Sequence, residues 1–174
     1  HGLNNPPAFI IAGDDRNGQS IQTGHVGMDA NSPWNYVMAL SASGGRSSST
    51  AWNNTAPTNT TVSLNTPLTS NAVNYTLYCW APVPGFSAMG VYDGIQNDDG
   101  PFAFTGFSIG WLMIKDYNQG QEWNIRDAQR SPYNPAQLVL QPQSTSGEQS
   151  GTFAYVDLLS NGFKIRNTHH TSNA

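Results

Sequence analysis

The residues able to do chemistry fall into four groups. His1-Gly2 comes first, because an N-terminal histidine can chelate copper through both its amine and its ring, and His25, His169 or His170 could complete the brace. Asp93, Asp98 and Asp99 come next, in Asp93-Gly94-Ile95-Gln96-Asn97-Asp98-Asp99-Gly100, where carboxylate and amide oxygens of the kind calcium prefers are concentrated. Their spacing matches no EF-hand loop, and Asp-Gly and Asn-Asp pairs are the usual material of tight turns, so a turn is the favoured reading. Asp14-Asp15 reads the same way. Asp127 and Arg130 stand three apart, a spacing that suits a local ion pair or a capped turn. With Glu122 beside Trp123, Asp127 is also the candidate acid of a glycoside-cleaving site, although such chemistry generally needs two related carboxylates. The fourth group is aromatic. Trp34, Trp52, Tyr92, Tyr117 and Tyr133 sit in polar, turn-like sequence, where a ring beside Asn and Gln amides can stack on a sugar or anchor a loop. Of these, Trp52-Asn53-Asn54 is the preferred binding element, with Trp34 and Tyr92 beside it; Phe9, Trp80, Trp111, Trp123 and Phe163 lie in strand-like sequence and are assigned to the core. There is no Gly-x-Ser-x-Gly elbow, phosphate-cradling loop, His-Glu-x-x-His or Cys-x-x-Cys. No cofactor is expected.

The elements that must position these residues are strands. Gly, Pro, Asn and Ser interrupt the chain every few residues, and few windows carry a helical apolar stripe. Strands are expected at 8–12, 34–41, 60–64, 75–81, 102–107, 111–115, 121–126, 137–141, 152–158 and 162–166, with turns at Asn17-Gly18, Asp99-Gly100-Pro101 and Ser160-Asn161-Gly162. The implied fold is all-β. One spacing orders these elements. Phe9-Ile10-Ile11 is answered by Trp111-Leu112-Met113, Asn17-Gly18-Gln19 by Gln119-Gly120-Gln121, and Thr69-Ser70-Asn71-Ala72 by Thr171-Ser172-Asn173-Ala174, always 102 positions later. Ile21 falls on Trp123 and Pro33 on Pro135. The expectation is two copies of a β-sandwich unit, jelly-roll or lectin-like, at residues 1–81 and 102–174, joined by a connector at 82–101 that opens on Pro82-Val83-Pro84-Gly85. In the first copy Thr69-Ser70-Asn71-Ala72 leads into Asn74-Tyr75-Thr76-Leu77-Tyr78-Cys79-Trp80; the second copy stops at Ala174 before the matching strand, so the chain reads as a fragment of a longer protein whose missing strand a neighbouring subunit or further residues of the same chain could supply.

Composition limits the function classes. Only 10 % of residues are charged and the net charge is −4, against about 25 % charged in an average globular chain. Five Trp, seven Tyr and seven Phe give material for a core. The seven Lys and Arg are scattered singly, so no basic patch for nucleic acid is written here. No apolar run approaches the roughly 18 residues of a membrane span, and membrane insertion is not expected. The single cysteine, Cys79, cannot form an intramolecular disulfide and is read as a buried apolar thiol. Asn53, Asn59 and Asn74 each open an Asn-x-Ser/Thr triplet, as chance gives in a chain this rich in Asn and Thr. A neutral surface of hydroxyls and amides suits a secreted or virion protein.

Several strings are similar to those of a known family. Tyr78-Cys79-Trp80-Ala81, Gly85-Phe86, Val91-Tyr92-Asp93-Gly94, Asp99-Gly100-Pro101-Phe102, Thr105-Gly106-Phe107 and Trp111-Leu112-Met113-Ile114-Lys115 carry the resemblance. So do Trp123-Asn124-Ile125-Arg126-Asp127, Arg130 with Pro132-Tyr133-Asn134-Pro135, and Leu159-Ser160-Asn161-Gly162-Phe163-Lys164. The chain resembles, over nearly its whole length, a duplicated β-rich domain of tail-fibre and other virion-appendage proteins of tailed bacteriophages, notably marine ones. Ala12-Gly13-Asp14-Asp15 departs from the pattern that Ile114-Lys115-Asp116 keeps. The family is described as lacking an assigned activity, so the resemblance carries over no catalytic residue. It implies a structural virion protein in contact with other virion proteins, a homo-oligomer such as a trimer, and a host-surface glycan as the ligand to look for. The alternatives from another class are a capsule depolymerase using Asp127, Glu122 or Asp93, and a copper-dependent polysaccharide oxygenase using His1.

Overall fold

The computed structural model describes residues 1–14, 20–69 and 73–174. The Asn17-Gly18 turn, Asp15 and residues 70–72 lie outside the described residues. The fold is all-β: strands in several antiparallel sheets, with, among the described residues, one short helical turn, α1 (His170–Asn173), and two 3-10 turns. The chain forms two compact units, one of His1–Val83 with Ser87–Val91 and one of Pro84–Phe86 with Tyr92–Ala174, so the expected connector is shared between them.

The first unit is built on one five-stranded sheet. Its strands are β1 (Phe9–Asp14), β2 (Gln22–His25), β3 (Tyr36–Ala39), β4 (Ser47–Ser48) and β5 (Tyr75–Trp80), in the order β4-β3-β2-β1-β5. The first four run as a meander, and β5 returns to pair antiparallel with β1 from Phe9↔Trp80 to Asp14↔Tyr75. Alternation decides which side chains are covered. Ile10 and Ala12 of β1 enter the core, joined by Tyr75, Leu77 and Cys79 of β5. The layer opposite the sheet is irregular chain rather than a second sheet: Ala51, Trp52, Val62, Leu64 and Leu68 close the core. Residues 60–64, expected as a strand, form none. Gly24 is the hinge of this packing. A Cβ there would lie 2.7 Å from Trp34 Cζ3 and 2.8 Å from Trp52 Cε2, so the two indoles can meet edge to face only because residue 24 has no side chain.

The second unit holds β6 (Phe102–Phe104), β7 (Trp111–Ile114), β8 (Asn124–Asp127), β9 (Leu138–Val139), β10 (Gln149–Ser150), β11 (Val156–Leu159) and β12 (Gly162–Ile165). They pair as β11-β12-β6, β7-β8 and β10-β9, and an Ile125↔Leu140 bridge links β8 to the chain beside β9. Ile109, Ile114, Val156, Phe163 and Ile165 make the core. The four-residue α1 is held by a buried amide. Asn173 Oδ1 accepts from Ile95 N at 2.7 Å and Gln96 N at 3.3 Å, while its Nδ2 donates to the Asn97 and Asn167 carbonyls.

Candidate functional site

Trp34 and Trp52, and in the other direction Trp80 and Trp111, are placed opposite to what their sequence surroundings suggest, whereas Trp123, Phe163 and Tyr133 are placed as expected. Trp52 is 0 % and Trp34 5 % exposed. Their rings lie 6.0 Å apart at 85°, and Trp52 Nε1 donates to the Tyr36 carbonyl at 3.1 Å, so neither indole can stack on a ligand. The correction has a physical cause: both sit in turns that fold over the space left by Gly24, and polar flanks do not keep a turn outside. Tyr92 is likewise a packing residue, edge-on to Phe163 at 5.6 Å with its hydroxyl donating to the Ser172 carbonyl at 2.6 Å, and burial pushes its pKa up. Asn53 and Asn54 are exposed in the left-handed region, at φ 51° and 49°. Asn54 lines a shallow groove of about 620 Å³ with Asn35, Tyr36, Ser49 and Thr66, and Arg46 covers the Tyr36 ring at 4.8 Å. Of the aromatics assigned to the core, Trp123 and Phe163 are buried, whereas Trp80 is 39 % and Trp111 57 % exposed.

The exposed aromatics of the first unit form a row. On β5 the alternation that sends Tyr75, Leu77 and Cys79 inward sends Thr76, Tyr78 and Trp80 outward. Tyr78 and Trp80 stack at 6.1 Å and 23°, and across the strand pair Phe9 stacks on Trp80 at 5.4 Å and 29°. His25 of β2 meets the other edge of Phe9 at 6.0 Å, its Nδ1 accepting from Gly27 N at 2.9 Å. Burial lowers the His25 pKa, so this end of the row is neutral near pH 7. Tyr78, 57 % exposed, is the open end. Neither its hydroxyl nor the Trp80 indole N–H bonds to a described residue, which leaves flat apolar faces with unspent polar groups at their rims. The signal was in the sequence: Tyr75-Thr76-Leu77-Tyr78-Cys79-Trp80 puts large rings on both faces of one strand, and at a sheet edge one face must meet water.

The titratable candidates are spent on structure. Asp127 ends β8 in a turn, where Oδ1 accepts from Arg130 N at 2.8 Å and Gln129 N at 3.0 Å, and Oδ2 pairs with Arg130 Nε. Arg130 also reaches Glu148 Oε2 at 2.7 Å. The Arg130 amide, then its side chain, hold the Asp127 carboxyl below the usual carboxylate range, the opposite of what a general acid needs. Glu122 is half-buried, and its carbonyl accepts from Asn124 Nδ2. Asp93 and Asp98 are exposed, while Asp99 pairs with Lys164 at 2.9 Å and Arg166 at 3.2 Å. Asp99 is thus already paired with two cations, and no three His, Cys, Asp or Glu are gathered for a metal among the described residues. Both His1 ring nitrogens are tied to backbone, Nε2 to the Thr58 carbonyl at 3.1 Å and Nδ1 to Leu3 N at 3.3 Å, which leaves none for copper. Among the described residues the one fully buried cation is Arg126 in the second unit; it donates from Nε to the Ala154 carbonyl at 2.8 Å, its Nη1 and Nη2 have no partner, and burial lowers its pKa to about 10. A second cavity of about 410 Å³ is floored by the Arg166–Asp157 pair at 2.6 Å.

The arrangement therefore offers a stacking surface, with its charges bound into turns and ion pairs. No helix among the described residues is long and apolar enough to cross a membrane. No curated protein and no solved structure matches the chain. A family model does match, from residue 1 to residue 174, and its description is "Domain of unknown function (DUF7483)". With its full length covered, the chain belongs to the DUF7483 family.

Proposed function

We propose that this chain is a non-catalytic β-rich module of a virion appendage that assembles with other virion proteins and binds a neutral host-surface glycan. The observation that carries the reading is the outward row of Tyr78, Trp80 and Phe9 on the β5–β1 edge of the sheet. A pyranose ring presents apolar C–H faces and a rim of hydroxyls, which match a flat ring face bordered by the Tyr78 hydroxyl and the Trp80 N–H. A surface of amides and hydroxyls with little charge suits a neutral sugar better than a charged polymer. The virion setting is supported by the resemblance of the sequence strings described above, and oligomer formation would multiply a weak single site into useful avidity.

The test is titration of the intact chain with soluble oligosaccharides from host surfaces, followed by calorimetry, for the wild type, Tyr78→Ala and Trp80→Ala. Each ring contributes about 0.5–1.5 kcal/mol, so affinity falls about two- to tenfold for Tyr78→Ala, with thermal stability nearly unchanged. Absence of binding across the oligosaccharides, or binding that both substitutions leave intact, sinks the reading. Cleavage of the polysaccharide during the titration replaces it with the depolymerase.

A further inference from the structure

The β11–β12 hairpin carries polar side chains that the core of the second unit does not use. Val156 and Ile165 pair across it and are fully buried. Alternation therefore sends Tyr155 and Asp157 on one arm, and Lys164 and Arg166 on the other, to the opposite face. The backbone pins them there. Arg166 N donates to the Tyr155 carbonyl at 3.0 Å, and Val156 N to the Ala136 carbonyl at 3.2 Å, which brings Pro135 alongside. The 3-10 turn Thr152–Ala154 leads into Tyr155, and Asp98 comes from the turn before β6. Asp98, Pro135, Thr152, Tyr155, Asp157 and Arg166 together line the cavity of about 410 Å³. That volume lies within the roughly 300–1,000 Å³ of small-molecule sites.

Asp157 Oδ2 holds Arg166 Nε at 2.6 Å, and Arg166 Nη1 reaches Asp99 at 3.2 Å. Two groups of this pair stay open: Asp157 Oδ1, an acceptor, and Arg166 Nη2, a donor on the same edge of the guanidinium as Nε. Neither bonds to a described residue. The Thr152 and Tyr155 hydroxyls and the Asp98 carboxylate bond to none either. Two neighbouring sugar hydroxyls are the complement of such a floor. Each hydroxyl both accepts and donates, so the diol takes a bond from Arg166 Nη2 and gives one to Asp157 Oδ1, while Pro135 and the Tyr155 ring meet its C–H face. Two carboxylates, Asp98 and Asp157, stand against one guanidinium in the lining, which disfavours an acidic sugar.

We propose that this cavity is a separate ligand site, in the second unit, that takes one neutral pyranose through a pair of adjacent hydroxyls. It goes beyond the ring row of β5 and stands whether or not that row binds. The set belongs to the second unit, since the positions 102 before Tyr155, Asp157 and Arg166 hold Asn53, Thr55 and Leu64. The cavity also lies away from the strand edges. β1 and β7 share their pairing at that spacing, Phe9↔His25 with Trp111↔Asp127, and β5 covers the far edge of β1. Thr50, Asn53 and Thr55 are exposed with β5 in place, so a strand in the same place on β7 leaves Thr152, Tyr155 and Asp157 open.

The experiment titrates the full chain with the methyl glycosides of glucose, galactose, mannose and N-acetylglucosamine, and with methyl glucuronide as the acidic control, up to about 50 mM, and reads amide and indole shifts by NMR. Saturable shifts at Thr152, Tyr155, Asp157 and Arg166 are expected with at least one neutral glycoside, in the wild type and in Tyr78→Ala alike, with the glucuronide weaker. Thr152→Val and Tyr155→Phe remove hydroxyls that bond to nothing in the fold, and each weakens binding about two- to tenfold with the melting temperature unchanged. Three results overturn the proposal: no saturable shift at those residues with any neutral glycoside, equal or tighter binding of the glucuronide, or affinity that both hydroxyl variants leave intact. Shifts confined to Tyr78 and the Trp80 indole overturn the cavity and leave the ring row standing; shifts confined to residues 152–166 do the reverse.

Discussion

The packing around Gly24 can be tested by a double-mutant cycle. Gly24→Ala puts a Cβ 2.7 Å from Trp34 Cζ3 and 2.8 and 2.9 Å from Trp52 Cε2 and Cζ2. These are ring atoms of buried indoles, and Trp52 is further fixed by its bond to the Tyr36 carbonyl, so the rings have nowhere to swing. Overpacking of this kind costs about 1–3 kcal/mol. Trp52→Phe removes the crowding atoms, at about 2 kcal/mol of the 3–5 that full truncation costs, together with about 1 kcal/mol for the lost indole hydrogen bond. In the double variant the new methyl occupies the space the larger ring has vacated. Trp34 still crowds it, so the relief is partial: the double variant should be more stable than the sum of the singles by about 1 kcal/mol. Each kcal/mol moves the melting temperature of a unit this size by roughly 4–8 °C. The assay is thermal unfolding with hydrogen exchange on β2 to assign the transition to the first unit. If the two costs add within about 0.5 kcal/mol, the indoles do not need an empty residue 24 and the packing argument fails.

Two further outcomes follow from the second unit. Asn173→Ala removes all four bonds of a fully buried amide and leaves Ile95, Gln96, Asn97 and Asn167 backbone groups without it. Ile95, Gln96 and Asn97 are exposed, so water can replace the amide there, whereas Asn167 is buried; the loss should be about 1–3 kcal/mol, with faster exchange at residues 95 and 96, and a change below about 0.5 kcal/mol would falsify the clamp. Asp127 gives the pH dependence. Its pKa is lowered in the fold, so its contribution is present above the ordinary carboxylate value and is lost as pH falls through the folded one. The melting temperature should therefore drop on acidification from pH 5 to below pH 4, and the drop should be shallower in Asp127→Asn; parallel curves for the two proteins remove Asp127 from the acid response.

How far the fold could be read depended on whether a signal was local. The apolar runs at Phe9 and Trp111, the alternation of Tyr75–Trp80 and the hairpin around Ser160-Asn161-Gly162 state their own periods, and they form β1, β7, β5 and the β11–β12 pair. β2 was not legible, because Gln22-Thr23-Gly24-His25 has neither alternation nor a branched apolar residue to mark it. Missing β2 is what misplaced the tryptophans. Without Gly24 in a strand there is no hole for Trp34 and Trp52, and polar flanks then point them outward. The Asp127–Arg130 pair was readable from its spacing, but Glu148, eighteen residues beyond Arg130, was not. The Asn173 clamp joins residues nearly eighty apart, so no window of sequence contains it.

The two units pair their strands 102 positions apart, Phe9↔His25 with Trp111↔Asp127 and Thr23↔Met38 with Ile125↔Leu140, and yet differ inside. The positions 102 beyond Gly24, Trp34 and Trp52 hold Arg126, Ala136 and Ala154. The first unit fills the space over its second strand with two indoles reaching toward a residue that has no side chain. The second fills it with one long side chain reaching toward two that have almost none. The hydrogen bond reverses with it: Trp52 Nε1 donates to Tyr36 on the edge side, while Arg126 Nε donates back to Ala154, the position equivalent to Trp52. The exchange does not conserve volume, and Arg126 Nη1 and Nη2 are buried without a hydrogen-bond partner among the described residues, yet the meander keeps its pairing. Selection on such a backbone is freest at surfaces the meander does not use for itself. The outer ring face of β5, where the glycan is proposed to bind, is such a surface.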